Sequence, residues 1–208
     1  MKYKKYWRKT SLKQKNIGDF FLKEISLSKP KIFLEIGIFH GVTARNICEL
    51  LYKIHKDDFK YIGVDVFEFD ETKKNGAIPN INFKNPLKRF YYRYIKRENP
   101  YSLESVQNLL KKFKKNIEIF KGDSKSILPK IDLSEINYVF LDGGHSYETV
   151  INDLNNCKII VENNGVILCD DYDLSYAPGV KKAIDEFVTK EQYDIKILFK
   201  RFAKISKK

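Results

Sequence analysis

The chain has 208 residues, 43% of them hydrophobic and 32% charged. That balance excludes a disordered chain and an integral membrane protein, and it leaves room for one generous domain with a full core. Apolar runs such as Ile159–Val161 and Val166–Cys169 fall far short of a bilayer span, and no apolar stretch follows the charged start, so neither an anchor nor a secretory signal is expected. The net charge of +12 is unevenly placed: residues 1–16, 84–97 and 196–208 hold nineteen cations and no acid, leaving the rest of the chain at −7. Such segments fit a patch for nucleic acid, anionic lipid or a phosphorylated substrate, or simply a lysine-biased composition in which only six of the 39 cations are arginine. Cys48, Cys157 and Cys169 are odd in number, widely spaced and embedded in apolar patterns. They read as reduced core residues of a cytoplasmic protein.

In chain order, residues 10–27 carry a helical apolar stripe through Leu12, Ile17, Phe20, Phe21, Leu22 and Ile25. Lys31–Ile38 reads as the first strand, Val42–His55 as a helix, and Tyr61–Phe67 as the second strand. Ser102–Lys115 is helical by spacing, followed by strands at Asn116–Phe120 and Asn137–Leu141. Tyr147–Glu162 is a helix, Gly165–Cys169 the fifth strand and Gly179–Lys190 another helix, and Ile195–Phe199 with Phe202–Ile205 fits a closing hairpin. Alternating strands and helices predict an α/β fold with a doubly wound, mostly parallel sheet. Residues 68–101 fit no simple unit. They hold Gly76, Pro79, Pro86, Pro100 and the aromatic-basic run Lys88–Tyr94, and a segment of that length reads either as a cover or acceptor wall over the strand ends or as a surface insertion packed on the sheet helices.

Two groups of residues fall at strand ends, where ligands of such sheets bind. In the first, Glu35, Gly37, His40 and Gly41 form the turn after the first strand, where glycine permits close backbone approach and a helix N-terminus favours a carboxylate. The spacing is G-x-x-x-G and lacks the middle glycine that admits a pyrophosphate, which counts against a dinucleotide-dependent dehydrogenase. Asp65 ends the second strand, placed for a ribose diol, and Asp123 and Ser124 follow the third, where an adenine edge would lie. Each alone also reads as a cap or turn residue. The second group is Asp142 and His145 after the fourth strand with Asp170 and Asp171 after the fifth. Three neighbouring carboxylates raise one another's pKa unless a cation or donors neutralise them. An all-oxygen set calls for a hard ion, Mg²⁺ first or Mn²⁺, able to bind an acceptor hydroxyl. His145 is then the candidate general base, because imidazole titrates near neutrality.

These motifs (FLEIGIFHG, YIGVDVF, FKGDS, VFLDGGHSYETVINDL and GVILCDDYD) resemble the class I S-adenosylmethionine-dependent methyltransferases. The resemblance is strongest to the metal-dependent sugar and macrolide O-methyltransferases, more distant to the catechol type, and covers about residues 30–206. It implies that Glu35 and the glycine turn bind the methionine part, Asp65 the ribose, and Asp123–Ser124 the adenine. It implies a Rossmann-like sheet closed by an antiparallel hairpin, and Asp142, Asp170 and Asp171 as metal ligands. His145 would act as base, by the acid-x-x-His arrangement, where the catechol type has asparagine at the position of Asp171 and a lysine base. The chain then divides into a basic arm and lead-in helix at 1–29 and a methyltransferase domain at 30–208. Its acceptor is a small-molecule hydroxyl, a glycosidic one by the same resemblance, with Tyr147 and Tyr172 available to pack on a sugar ring and the basic residues of 68–101 favouring an acidic or phosphate-bearing sugar. The arm at Lys2–Lys15 is long enough to reach a second copy in a homo-oligomer. A nucleic-acid methyltransferase is the alternative raised by the basic segments, but the Asp/Asn-Pro-Pro-aromatic motif of the amine-methylating enzymes is replaced here by Asp142-Gly-Gly-His145. A non-catalytic cofactor-binding module is the other alternative, opposed by the carboxylates remaining together.

Overall fold

A computed structural model describes residues 1–14, 16–67 and 83–208. Seven strands form one sheet: β1 (Ile32–Ile36), β2 (Lys60–Asp65), β3 (Ile117–Lys121), β4 (Tyr138–Leu141), β5 (Val166–Cys169), β6 (Asp194–Leu198) and β7 (Phe202–Ser206). Their order is β3-β2-β1-β4-β5-β7-β6, and every pairing is parallel except those of β7, which runs antiparallel to β5 and β6. The expected doubly wound sheet with a terminal hairpin is therefore the one observed.

The central strands are apolar on both faces, as a sheet covered on both sides requires. Leu34, Ile36, Val139, Leu141, Ile167 and Cys169 face one helical layer, and Phe33, Tyr138, Phe140 and Leu168 face the other. The first layer includes α6 (Tyr147–Glu162) and α7 (Pro178–Glu191); the second includes α1 (Ile17–Ser28), α2 (Val42–His55) and α4 (Leu103–Leu110). All three cysteines are free and buried in these cores. No helix among the described residues is long and apolar enough to cross a membrane.

Two expected helices are shorter than their apolar stripes. The lead-in helix starts at Ile17 because Asn16 takes a left-handed conformation (φ 70°) that cannot propagate a helix. The fourth helix gives way after Leu110 to a tighter turn at Lys111–Phe113. Of the 68–101 stretch, residues 68–82, with Gly76 and Pro79, lie outside the described residues. The remainder forms α3 (Pro86–Phe90), capped by Asn85, continuing into a wider turn at Tyr91–Lys96. Its aromatics divide: Phe83 and Tyr92 are buried, whereas Phe90 and Tyr94 stay exposed.

The N-terminal arm folds back over its own chain. Tyr3 hydroxyl bonds both Thr10 and Thr43 hydroxyls, at 2.7 and 2.8 Å, and Lys4 exchanges backbone hydrogen bonds with the Asn46 amide. Arg8 is buried and donates to the carbonyls of His40, Pro100 and Ser105, the Ser105 hydroxyl and the Glu98 carboxylate. Arginine suits this position because its planar fork serves several acceptors at once.

Candidate active site

The strand order reverses between β1 and β4, and loops leaving their carboxyl ends border a cavity of about 1110 Å³. Gly37, His40, Asp65, Asp123, Ser124, Asp142, His145 and Asp171 all line it, so one concave site gathers residues from five strand ends. The turn after β1 is crowded as well as left-handed. Gly37 has φ 93°, and a β-carbon there would collide with the Asp142 carbonyl, so only glycine lets β1 and β4 leave the sheet side by side.

Glu35 and Gly41 do not line the cavity. Glu35 is wholly buried beneath the turn, where Oε2 accepts the Tyr61 hydroxyl at 2.5 Å and Oε1 has no partner. Gly41 instead packs against Val106 and Leu109 of α4. Strand alternation explains Glu35: its neighbours Leu34 and Ile36 point to one face, so Glu35 points into the other core and not toward the cavity. Burial pushes its carboxyl up to about 8, with the Tyr61 hydrogen bond opposing. An acid whose pKa rises on folding loses stability as pH climbs from its unfolded value, 4.5, through its folded one. Glu35→Gln therefore removes a pH-dependent penalty: relative to wild type the variant gains on the order of a few kcal/mol between pH 5 and pH 9 in urea unfolding. An equal difference at both pH values would show that Glu35 stays ionised in the fold.

Asp65 is held by four donors. Oδ2 accepts the amides of Ile38 and Phe39 at 2.7 and 2.8 Å; Oδ1 accepts the Phe67 amide and the Tyr101 hydroxyl at 2.9 and 3.0 Å. The carboxylate thus braces the β1 turn, and only the Tyr101 hydroxyl, a side-chain donor, can leave without moving backbone. His40 is buried and accepts the Lys9 amide on Nδ1 at 3.4 Å. Burial, then the Arg8 and Lys9 charges, hold the ring down at about 3; it is neutral, with Nε2 left as its N–H. Asp123 caps α5 (Ser124–Ile127) by accepting the Lys125 amide, so it combines a capping position with a place on the cavity wall.

The carboxylate group converges. Single oxygens of Asp142, Asp170 and Asp171 lie within 4.8 Å of one another. His145 Nε2 stands 3.0 Å from Asp171 Oδ2, and Asp171 Oδ1 accepts the Tyr176 hydroxyl at 2.8 Å. Asp171 holds this geometry from a left-handed backbone (φ 59°), which aspartate tolerates better than most residues. Helix α6 is capped by Ser146, which leaves His145 outside the cap and available to the cavity. Asp142 accepts the Ser11 hydroxyl of the arm at 2.8 Å. Burial first, then Asp170, raises the Asp142 carboxyl well above the ordinary range.

Four residues of the site were given no individual role by the sequence reading, although Asp153 lies within the VFLDGGHSYETVINDL motif. Arg201, from the β6–β7 hairpin, binds Asp170 in a two-pronged pair, both contacts at 2.5 Å, and reaches Asp171 Oδ1 at 3.4 Å. Burial raises the Asp170 carboxyl, Arg201 opposes it, and Asp171 reinforces it. Asp153 on α6 is buried against the cavity with Oδ1 unpartnered, and burial pushes it up to about 6. Ser11 and Tyr176 complete the set. Tyr147 and Tyr172, named above as available to a sugar ring, donate their hydroxyls to Glu186 and Asp185 of α7.

The charge count tests whether a divalent ion suits this cluster. Three carboxylates and the Arg201 guanidinium sum to −2 when ionised, which a divalent cation balances. Asp142 and Asp171 present oxygens on the cavity wall, while Asp170 Oδ1 already accepts both Arg201 and the Asp171 amide. The donor set fits a hard ion, with Asp170 as its weakest contributor.

Residues 34–172 match a family model described as a methyltransferase domain. The fold is similar to the O-methyltransferase NovP (TM-score 0.66, 17% identity, 92% of this chain and 81% of that one). It is also similar to the calicheamicin methyltransferase CalS11 (0.63, 15%, 94% and 80%) and to the methyltransferase PaMTH1 of Podospora anserina, solved bound to SAH (0.58, 16%, 94% and 80%). An uncharacterized protein of Acanthamoeba polyphaga mimivirus is 29% identical over 140 residues, which span 64% of this chain and 61% of the viral one.

Proposed function

Because the chain belongs to the methyltransferase-domain family, we propose that its cavity binds S-adenosylmethionine and transfers the methyl group to a hydroxyl of a sugar or glycosylated small molecule, with a divalent metal assisting. The observation that carries this reading is the placement of Asp142 and the His145–Asp171 pair, with Asp170 directly behind them, in the same cavity as the Gly37 turn, Asp65 and Asp123. The hydroxyl acceptor is supported by the likeness to the O-methyltransferase NovP, and its being a sugar by the likeness to CalS11, a TDP-rhamnose 3'-O-methyltransferase by its description.

S-adenosylmethionine supplies an electrophilic methyl on a sulfonium, whose sulfur keeps the C–S bonding pair as the acceptor oxygen takes the carbon. The turn at Gly37–His40 receives the methionine end, with the His40 Nε2–H as a neutral donor. Asp65 accepts a ribose hydroxyl as Tyr101 releases it. Asp123, Ser124 and the orphan oxygen of Asp153 form the wall for the adenine, where an exocyclic amine would satisfy that oxygen. Asp142, Asp171 and, more weakly, Asp170 would hold Mg²⁺ or Mn²⁺, which when bound acts as a Lewis acid on the acceptor hydroxyl. Asp171 orients the His145 ring through Nε2, which leaves Nδ1 to take the hydroxyl proton. Positioning supplies the rest, since the methyl is already activated.

The test is calorimetric titration of S-adenosylhomocysteine into metal-stripped protein, then of Mg²⁺ into the complex. The expected result is binding of both, with the Mg²⁺ heat lost in Asp142→Asn. Nucleoside binding without metal removes the metal from the mechanism, and absence of both sinks the methyltransferase reading.

A further inference from the structure

Two acid-free segments far apart in sequence meet at this cavity. Lys5, Lys9 and Lys13 of the arm, Lys84 just before α3 and Lys88 within it all line it. The ammonium groups of Lys9 and Lys88 stand 5.4 and 5.8 Å from the ring centre of Phe83. Lys5, Lys13, Lys84 and Lys88 have no carboxylate within ion-pair distance among the described residues, although the chain outside its basic segments is net acidic. Burial, then the Lys5 charge, lowers the Lys88 pKa, so these ammonium groups feel one another. The arm that carries three of them is pinned by the buried Arg8 fork and by Tyr3. Like charges gathered and held in a cavity repel unless an anion joins them.

We infer that this lysine cluster binds a phosphate or pyrophosphate group on the acceptor, making the substrate a phosphorylated or nucleotide-linked sugar. The inference rests on the methyltransferase reading above. The cofactor does not answer the cluster: S-adenosylmethionine carries a sulfonium and an ammonium against one carboxylate, so it arrives net cationic. Lysine also suits the role, since compact, flexible ammonium groups meet a phosphate as point charges without demanding a fixed fork geometry. The cavity volume of about 1110 Å³ exceeds the common range for one small ligand, about 300–1,000 Å³, which leaves room for acceptor beside cofactor.

The experiment titrates inorganic pyrophosphate, glucose 1-phosphate and UDP-glucose into the full chain in metal-free buffer, with and without saturating S-adenosylhomocysteine. It compares wild type with the double variant Lys5→Gln/Lys88→Gln, whose side chains leave the core intact. Pyrophosphate affinity should fall at least about tenfold in the variant, and more steeply at low salt, while nucleoside affinity stays within about twofold of wild type. Tighter binding of glucose 1-phosphate or of UDP-glucose then identifies which kind of phosphate ester the cluster serves. Unchanged pyrophosphate affinity, or a parallel loss of nucleoside affinity, overturns the inference; the latter would assign the lysines to the cofactor carboxylate. A single-stranded oligonucleotide binding more tightly than all three probes would also overturn it. Failure of wild type to bind S-adenosylhomocysteine defeats the methyltransferase reading alone, because the pyrophosphate titration is also read on nucleoside-free protein.

Discussion

Replacing His145 with alanine should lower methyl transfer by about 10²- to 10⁴-fold, the range for loss of a positioned general base, and should leave S-adenosylhomocysteine affinity unchanged. The His145 side chain is 48% exposed and meets the fold through Asp171 at 3.0 Å and an edge contact with Tyr176, so its removal opens no cavity. Asp171→Asn is the companion variant. Asparagine tolerates the left-handed backbone at this position (φ 59°) and keeps the side-chain shape, but it removes the charge that stabilises the imidazolium formed when the proton arrives. It should slow turnover in the same direction and by a smaller factor. Transfer of a labelled methyl group to a panel of glycosides and sugar phosphates measures both. If H145A turns over at the wild-type rate on an acceptor that wild type methylates, His145 is not the base.

Arg201→Met destabilises the fold by about 3–5 kcal/mol, the usual consequence of leaving a buried charge without its partner. The pair is enclosed: the Arg201 and Asp170 side chains are 8% and 1% exposed. With the guanidinium gone, burial and the Asp171 charge are opposed only by the Asp171 amide, and they hold the Asp170 carboxyl still further above its unfolded value. A raised folded-state pKa in an acid favours the folded form at low pH and weakens it as pH rises past the unfolded value, near 4. The deficit of R201M should therefore be smallest near pH 5 and grow toward pH 8. Arg201→Lys should fall between the two, keeping the charge and losing the two-pronged geometry. Urea unfolding across that pH range provides the measurement; a pH-independent deficit would mean that Arg201 contributes packing, not charge compensation.

Much of the architecture was readable because burial imposes a period. Tyr138–Leu141 alternates between two cores, and Tyr147–Glu162 runs as a helix over the expected residues. Helix ends were less readable, since Asn16 and Leu110 (φ −93°, ψ 3°) set them through local backbone conformation and not through any break in the apolar stripe. Within the site, Asp142, His145, Asp170 and Asp171 announced themselves by following strands that proved to be neighbours. Arg201 did not, because it enters from the hairpin and sits in a run of lysines. Its one signal was scarcity: of six arginines, Arg8 and Arg201 are buried and multiply bonded, in a chain that otherwise uses lysine. Asp153 lay inside a quoted motif but drew no role from it, being one more polar residue in an amphipathic helix until the fold turned it toward the cavity.

What the sequence determined by itself was whatever depends on short-range pattern: the alternation of strand and helix, the glycine at a left-handed turn, and carboxylates at the ends of two strands. Those features follow from steric limits and hydrophobic period, which act over a few residues. Tertiary structure alone decided which side chains meet. It turned Glu35 into the core, surrounded Asp65 with four donors, set Arg201 against Asp170, and brought the lysines of the arm to Lys84 and Lys88. Contacts of this kind join segments separated by scores of residues. They are specified by how whole layers pack, and no local spacing encodes them.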